Sequence, residues 1–174
     1  MKYKKIIFFF IMVLIIIAIL SSTIGREIVS QKQPTLTSFS VVHFSGYLFF
    51  ILMPVEALVP WYVSEGYDPL LLVVVALITA LIAQLIDYAI GYLVSDDVIH
   101  KWIGDKKYAK AKKHIDSYGH WAILIFNLLP LSSPILTLVA GMVRYPLRKV
   151  VIYSFIGLTV KYFVIAYFFL SFFS

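Results

Sequence analysis

The chain has no cysteine among its 174 residues, so it forms no disulfide and offers no thiolate nucleophile or thiolate metal ligand. Charge is also scarce: Asp, Glu, Lys and Arg make up 14% of the residues while 61% are hydrophobic and 17% aromatic, well outside the range of soluble domains. The chain therefore reads as an all-α integral membrane protein of one domain. Also missing are His-Glu-x-x-His, Gly-x-Ser-Gly, any Asp-rich metal motif and any basic–Ser–His phosphatase constellation. No enzyme activity, cofactor or metal is expected. The four histidines do not change this, because His100, His114 and His120 read as solvated loop residues without a second ligand at suitable spacing.

The formal net charge of +6 does not point to nucleic acid, because the basic residues sit almost entirely in short segments flanking apolar runs. Met1 to Lys5 carries three lysines, and Ile6 to Ile24 then runs uncharged for about the ~20 residues a helix needs to cross the hydrocarbon. Residues 1–24 are read as a retained transmembrane helix, with a cleaved signal peptide as the alternative. Residues 25–38 form an external loop. Asp68-Pro69 is a helix start, with Asp as N-cap and Pro in the first turn, and opens a membrane helix over 69–95. Residues 96–120 are a polar, lysine-rich loop, and 150–173 a final span.

Two apolar stretches are interrupted by proline. The first, within 39–64, carries Pro54, Glu56 and Pro60; the second, within 121–143, carries Pro130, Ser132, Ser133 and Pro134 and ends at Gly141. Proline removes a backbone donor, and lipid supplies no replacement partner, so a broken segment at membrane depth must lie against protein or line a cavity. Charge decides whether these stretches cross. If both turn back, the N-terminus, 96–120 and 144–149 share one side and hold twelve of the 15 Lys and Arg residues, and the positive-inside rule makes that side cytoplasmic. Two re-entrant hairpins, each followed by a transmembrane helix and entering from opposite sides, form an inverted repeat. In such repeats the substrate site lies near the bilayer midplane, where the broken elements meet.

Glu56, Asp87 and Lys161 fall within apolar segments, where each charge costs roughly 2.5 to 3.5 kcal/mol at a helix centre by insertion scales. Ala76, Ala80, Ala83, Asp87 and Gly91 share one helix face, and Ser154, Gly157 and Lys161 share another; small residues permit close approach, so both charges are expected to point inward. Lys161 needs a partner, and Asp87 and Glu56 are the two choices. Two readings stay open: a structural ion pair that locates the helices, or groups that bind a headgroup or carry a proton. Asn127, Ser132 and Ser133 either satisfy backbone freed at Pro130 or line a cavity. His43 is read as a bonded polar residue of a hairpin leg, with proton relay as the alternative. Trp102 with Lys106, Lys107, Lys110 and Lys113 makes either a basic surface helix drawn to anionic lipid or a plain orientation signal.

These residues resemble the DedA family, also called the VTT or SNARE-associated Golgi protein superfamily. Pro54-Val55-Glu56 with Pro60 resembles the family's Pro-x-acidic element, Tyr88-Ala89-Ile90-Gly91 its Tyr-x-x-Gly, and Gly119-His120-Trp121-Ala122 its Gly-x-Trp-Ala. The run from Phe126 to Met142, followed by Tyr145-Pro146-Leu147-Arg148-Lys149, is similar to its most distinctive block. The resemblance covers about residues 40 to 170. It implies an inverted pair of hairpins in a plasma-membrane protein and movement of phospholipids or polyprenyl-phosphate carriers between leaflets, with membrane lipids as partners and proton coupling in some members. Self-association is left open, as is proton- or ion-coupled transport of a small solute. The resemblance places Glu56 as the acidic residue of the first hairpin. This chain departs from the family pattern at Asn127 and Ser133, which stand where many bacterial members have arginine; the acidic residue expected near 44–47 is missing too. Lys161 is the available cation in their place. Glu56, Asp87, Asn127, Ser133 and Lys161 are the expected transport or substrate-binding residues.

Overall fold

The structure is a computed structural model, described here for residues 34–48, 55–93, 105–129 and 133–173, together with Ala18 and Ser22. The expected helix over 1–24, most of the loop that follows it, Pro54, Pro130, Ser132, Lys101, Trp102 and the Ser133 side chain lie outside the described residues. Within them the regular structure is helical: α1 (Leu36–Tyr47), a one-turn 3₁₀ helix (Val55–Ala57), α2 (Leu58–Ser64), α3 (Pro69–Leu93), α4 (Asp105–Leu128), α5 (Ser133–Met142) and α6 (Leu147–Phe173).

Length separates these helices into two kinds. At ~1.5 Å per residue α1, α2 and α5 are roughly 10 to 18 Å long, far short of the ~30 Å hydrocarbon core. By contrast α3, with 25 residues, and α6, with 22 qualifying residues over Leu147–Phe168, are long and apolar enough to cross a membrane. Their faces are sorted the reverse of a soluble bundle. Ala76, Ala80, Ala83, Asp87 and Gly91 of α3 are buried, as are Ser154, Gly157 and Lys161 of α6. Val74, Ile78, Ile82 and Leu85, and Phe155, Val160, Val164 and Phe168, are exposed. Leu72, Val73, Leu158 and Tyr162 are buried as well, so it is the large apolar residues on the outside that lipid permits and water does not.

Local chemistry fixes the helix starts. The Thr35 side chain accepts from Ser38 N at 3.2 Å and Ser38 Oγ accepts from Thr35 N at 3.0 Å, a capping box that opens α1 three residues before the expected hairpin start at 39. Asp68 Oδ1 accepts from Leu71 N at 2.7 Å with Pro69 as the first residue of α3, the expected cap. Pro60 and Pro134, expected as breaks, instead sit in the first turns of α2 and α5, where a missing N–H leaves no hydrogen bond unmade. A second correction concerns the polar segment. Residues 105–120 are not loop but the first part of α4, which runs unbroken to Leu128 because Lys and Ala are strong helix formers and no proline interrupts them.

The two halves of the fold share a terminator. In α2, Tyr67 N donates to Tyr62 O at 3.1 Å and Gly66 N to Val63 O at 3.0 Å; in α5, Tyr145 N donates to Ala140 O at 2.9 Å and Arg144 N to Gly141 O at 3.0 Å. Both are Schellman caps, with a left-handed residue (Gly66 at φ 91°, Arg144 at φ 57°) followed by tyrosine and then a long helix. Arginine has a Cβ that disfavours this conformation by about 1–2 kcal/mol, whereas its guanidinium 5.3 Å over the Tyr92 ring returns about 0.5–1 kcal/mol. Arg144→Gly is therefore expected to be neutral to stabilising by about 1 kcal/mol, read as a denaturation midpoint in detergent. A loss above 1 kcal/mol would mean that the contacts of the Arg144 side chain outweigh the backbone cost.

The core lies in two parts. Phe39, Val59, Tyr62, Leu72, Ala76, Leu158 and Tyr162 join α1, α2, α3 and α6, while Tyr88, Ile123, Ala140, Val143, Tyr145 and Val150 join the ends of α3 and α6 to α4 and α5. Gly141, expected at a break, lies inside α5 and packs on α3: a Cβ there would collide with Tyr88 O, and a Cβ at Gly91 with Leu138 O. The helices touch backbone to backbone.

Candidate functional site

Lys161 is 3% exposed and lies about 21 Å along α6, near the middle of the helix. A cation there is held only with a counter-charge and hydrogen bonds. Its Nζ donates to Glu56 Oε1 at 2.8 Å and to the Tyr47 hydroxyl at 2.5 Å. It also lies 5.3 Å from the ring centroids of both Tyr47 and Tyr162. Tyr47 is the last residue of α1 and Glu56 belongs to the 3₁₀ turn, so the pair ties both ends of the first interrupted stretch to the centre of the last helix. Of the two choices of partner for Lys161, the structure selects Glu56.

One turn back along α1, His43 is fully buried and uses both ring nitrogens, Nδ1 to Thr79 Oγ1 at 2.8 Å and Nε2 to Tyr162 OH at 2.7 Å. The Thr79 hydroxyl proton goes to Val75 O at 2.8 Å, so Thr79 accepts from His43 Nδ1–H. In the neutral imidazole that leaves Nε2 as acceptor of the Tyr162 hydroxyl. His43 thus links α1 to α3 and α6 as a satisfied core residue.

A second buried polar group lies between α3, α4 and α6. Gln84 Nε2 donates to Asn127 Oδ1 at 2.6 Å, and Asn127 Nδ2 donates to Ile123 O at 2.8 Å and to Ser154 Oγ at 3.2 Å. Gln84 and Tyr162 stand at the same separation from the cap tyrosines Tyr67 and Tyr145. Each is bonded by a leg residue of the other half: Asn127 reaches Gln84 and His43 reaches Tyr162. The two halves thus share the cap and this spacing.

A family model described as the VTT domain matches residues 41–171. The chain belongs to the VTT domain family. The match spans both halves, from α1 through α6, and the family is one of membrane-associated proteins, consistent with the two spans of α3 and α6. An uncharacterized protein of Haemophilus influenzae is 24% identical over 130 residues, covering 73% of this chain and 68% of that protein. No solved structure matches.

Within this VTT domain the expected site residues divide. Glu56 and Lys161 meet directly. Asn127 is buried in the amide cluster, and Asp87 is buried on the same α3 face, three residues beyond Gln84. Ser133 opens α5. Among the described residues no three His, Cys, Asp or Glu side chains gather as a metal site, and the rings of Trp121 and Tyr153 flank His120. Tyr47, Thr79, Gln84 and Tyr162 are polar members that the sequence reading passed over. The signal for Gln84 was present, since an uncharged amide inside an apolar run also needs a partner. Tyr47 and Tyr162 gave none, because tyrosine is common in this chain.

Proposed function

We propose that this VTT-domain protein moves a phospholipid or polyprenyl-phosphate lipid between the leaflets of the plasma membrane, without chemistry of its own. The observation that carries the reading is the Lys161–Glu56 pair, which joins the first interrupted stretch to mid-α6, where an unpaired charge would be costly in lipid. A structural ion pair would serve as well deep in the core, but Glu56 keeps 16% of its side chain exposed, so the pair borders the outside of the bundle. In this reading both interrupted stretches turn back within the membrane. The N-terminus and the lysine-rich segment through residue 120 are cytoplasmic, and Asp87, Asn127 and Ser133 line the route of the headgroup. The short lengths of α1, α2 and α5 and the repeated cap and register support two hairpins related by an inverted repeat. The partners are membrane lipids, with protons as a coupling ion and a second copy of the chain as an option, and no nucleic acid.

The test is exchange of fluorescent lipid between leaflets of proteoliposomes. Wild-type protein is expected to give exchange above protein-free vesicles, and Lys161→Met, matched for insertion, to lose at least tenfold of it. Absence of exchange for every headgroup, polyprenyl phosphate included, would overturn the reading in favour of proton- or ion-coupled transport of a small solute. Uptake driven by a pH gradient would then be the next assay.

A further inference from the structure

We infer that Lys161 is a receptor for a phosphate-type anionic headgroup and that Glu56 is its built-in substitute ligand, occupying the headgroup's place in the resting protein. The inference rests on the lipid reading above and names the substrate charge and the residue that competes with it.

The pair is asymmetric. Lys161 stands on a 27-residue helix, is 3% exposed and is packed between the rings of Tyr47 and Tyr162. Glu56 stands on the 3₁₀ turn that runs directly into the short α2, and is 16% exposed. The cation is thus the more buried member, and the carboxylate is the member that is reached first. A site for a cationic substrate needs the reverse, a buried carboxylate from which a more exposed cation is displaced. The sign of the exchangeable ligand is therefore negative.

The donor set also fits an incoming anion. An ammonium has three N–H donors, and here one goes to Glu56 and one to the Tyr47 oxygen. Tyr47 accepts from Lys161, so its own proton is directed at Glu56 Oε1, over a long 3.4 Å. An oxyanion taking the position of Oε1 receives both the Lys161 ammonium and the Tyr47 hydroxyl. Charge-assisted bonds of this kind are strong with phosphate oxygens. Leaving Lys161 buried without a counter-charge is costly, so release of Glu56 is favoured when another anion replaces it. Exchange of one anion for another thereby couples occupancy by headgroup to freeing of the 3₁₀ turn.

Binding is tested in detergent on the full chain, from the rise in unfolding temperature on titration with dihexanoyl phosphatidic acid, dihexanoyl phosphatidylcholine or inorganic phosphate. Wild type is expected to bind phosphatidic acid and Glu56→Gln to bind it at least tenfold more tightly, because the competing carboxylate is gone. Lys161→Met and the double variant Glu56→Gln/Lys161→Met should give no saturable shift, and phosphatidylcholine none with any variant. Equal responses to inorganic phosphate and phosphatidic acid assign the site to a free anion, and a response to the lipid alone assigns it to a headgroup. Binding to Glu56→Gln no tighter than to wild type overturns the inference, as does undiminished binding to Lys161→Met or equal binding of phosphatidylcholine. If Glu56→Gln does not purify, Glu56→Asp, which withdraws the carboxylate by one methylene, is expected to bind a few-fold more tightly and is judged by the same comparison. No transport enters this readout. A binding result as expected without leaflet exchange sinks the transport reading alone, and exchange without the binding pattern sinks only the competition by Glu56.

Discussion

Lys161→Met is expected to lower the stability of the detergent-purified protein by about 3–5 kcal/mol, Glu56→Gln by somewhat less, and the double variant by much less than their sum. Removing one member of a buried ion pair leaves the other desolvated and without counter-charge, which costs about 3–5 kcal/mol, whereas replacing both by neutral groups of similar volume is often close to neutral. Here methionine keeps the length of the lysine stem and glutamine keeps the shape of Glu56, so packing between the Tyr47 and Tyr162 rings is largely preserved and charge is the main change. Glu56 left alone by Lys161→Met is 16% exposed and regains some solvation; Lys161 left alone by Glu56→Gln is 3% exposed and does not. An amide oxygen still accepts from the ammonium at the Glu56 position, however, which is why Glu56→Gln is expected to be the milder single change. The measurement is a double-mutant cycle on chemical denaturation midpoints, with a coupling energy of about 2 kcal/mol or more expected for groups 2.8 Å apart. Additive losses would mean that the 2.8 Å contact carries no energy, and with it would go the counter-charge argument for both the proposed route and the anion exchange.

That pair also marks how far the sequence was legible. Rarity of charge made Glu56, Asp87 and Lys161 visible at once, and helical spacing put Asp87 and Lys161 on buried faces. Depth along the helices, however, did not choose between the two carboxylates. Partner choice depends on how helices cross, which no local pattern encodes; the structure brings the 3₁₀ turn to α6 and pairs Glu56 with Lys161. The same limit explains the prolines. Pro60 and Pro134 read as breaks because proline has no donor, yet the first turn of a helix requires none, and the sequence alone does not fix on which side of a helix boundary a proline falls. The capping box at Thr35 escaped because its third member is Ser38 rather than the usual Glu or Gln. Continuity of α4 through residues 105–120 escaped for another reason. The lysine run offers a surface helix only as an alternative, and polarity alone does not exclude helix, since lysine and alanine favour it whether or not the segment is wet.

The second large effect is expected at the crossing of α3 and α5, where Gly91→Ala and Gly141→Ala should each destabilise by about 1–3 kcal/mol and the larger Gly141→Leu by more. Two effects oppose each other at these positions. Replacing glycine by alanine inside a helix contributes about 1 kcal/mol of stability through backbone entropy. Against this, the added Cβ of Gly141 would fall on Tyr88 O with Tyr92 N at 3.0 Å, and that of Gly91 on Leu138 O with Met142 N at 3.0 Å. These obstacles are backbone atoms of a packed helix, which cannot rotate aside, so the helices must part. Between helices in lipid, close van der Waals packing replaces the hydrophobic effect as the driving force, and separation of the backbones forfeits it along the whole contact. The clash therefore outweighs the propensity gain. Gly119 provides the contrast, since a Cβ there would meet the Ile115 side chain at 3.1 Å and the Tyr145 ring at 3.3 Å, both able to yield by a few tenths of an ångström. Gly119→Ala should be within about 1 kcal/mol of wild type, helix propensity offsetting the adjustment. Denaturation midpoints of the three alanine variants in one detergent decide the matter: Gly91→Ala and Gly141→Ala at or above wild type would mean that α3 and α5 are not in backbone contact. The two halves would then be free to separate at this crossing, and relative motion between them would have to be sought there rather than at the Glu56–Lys161 pair.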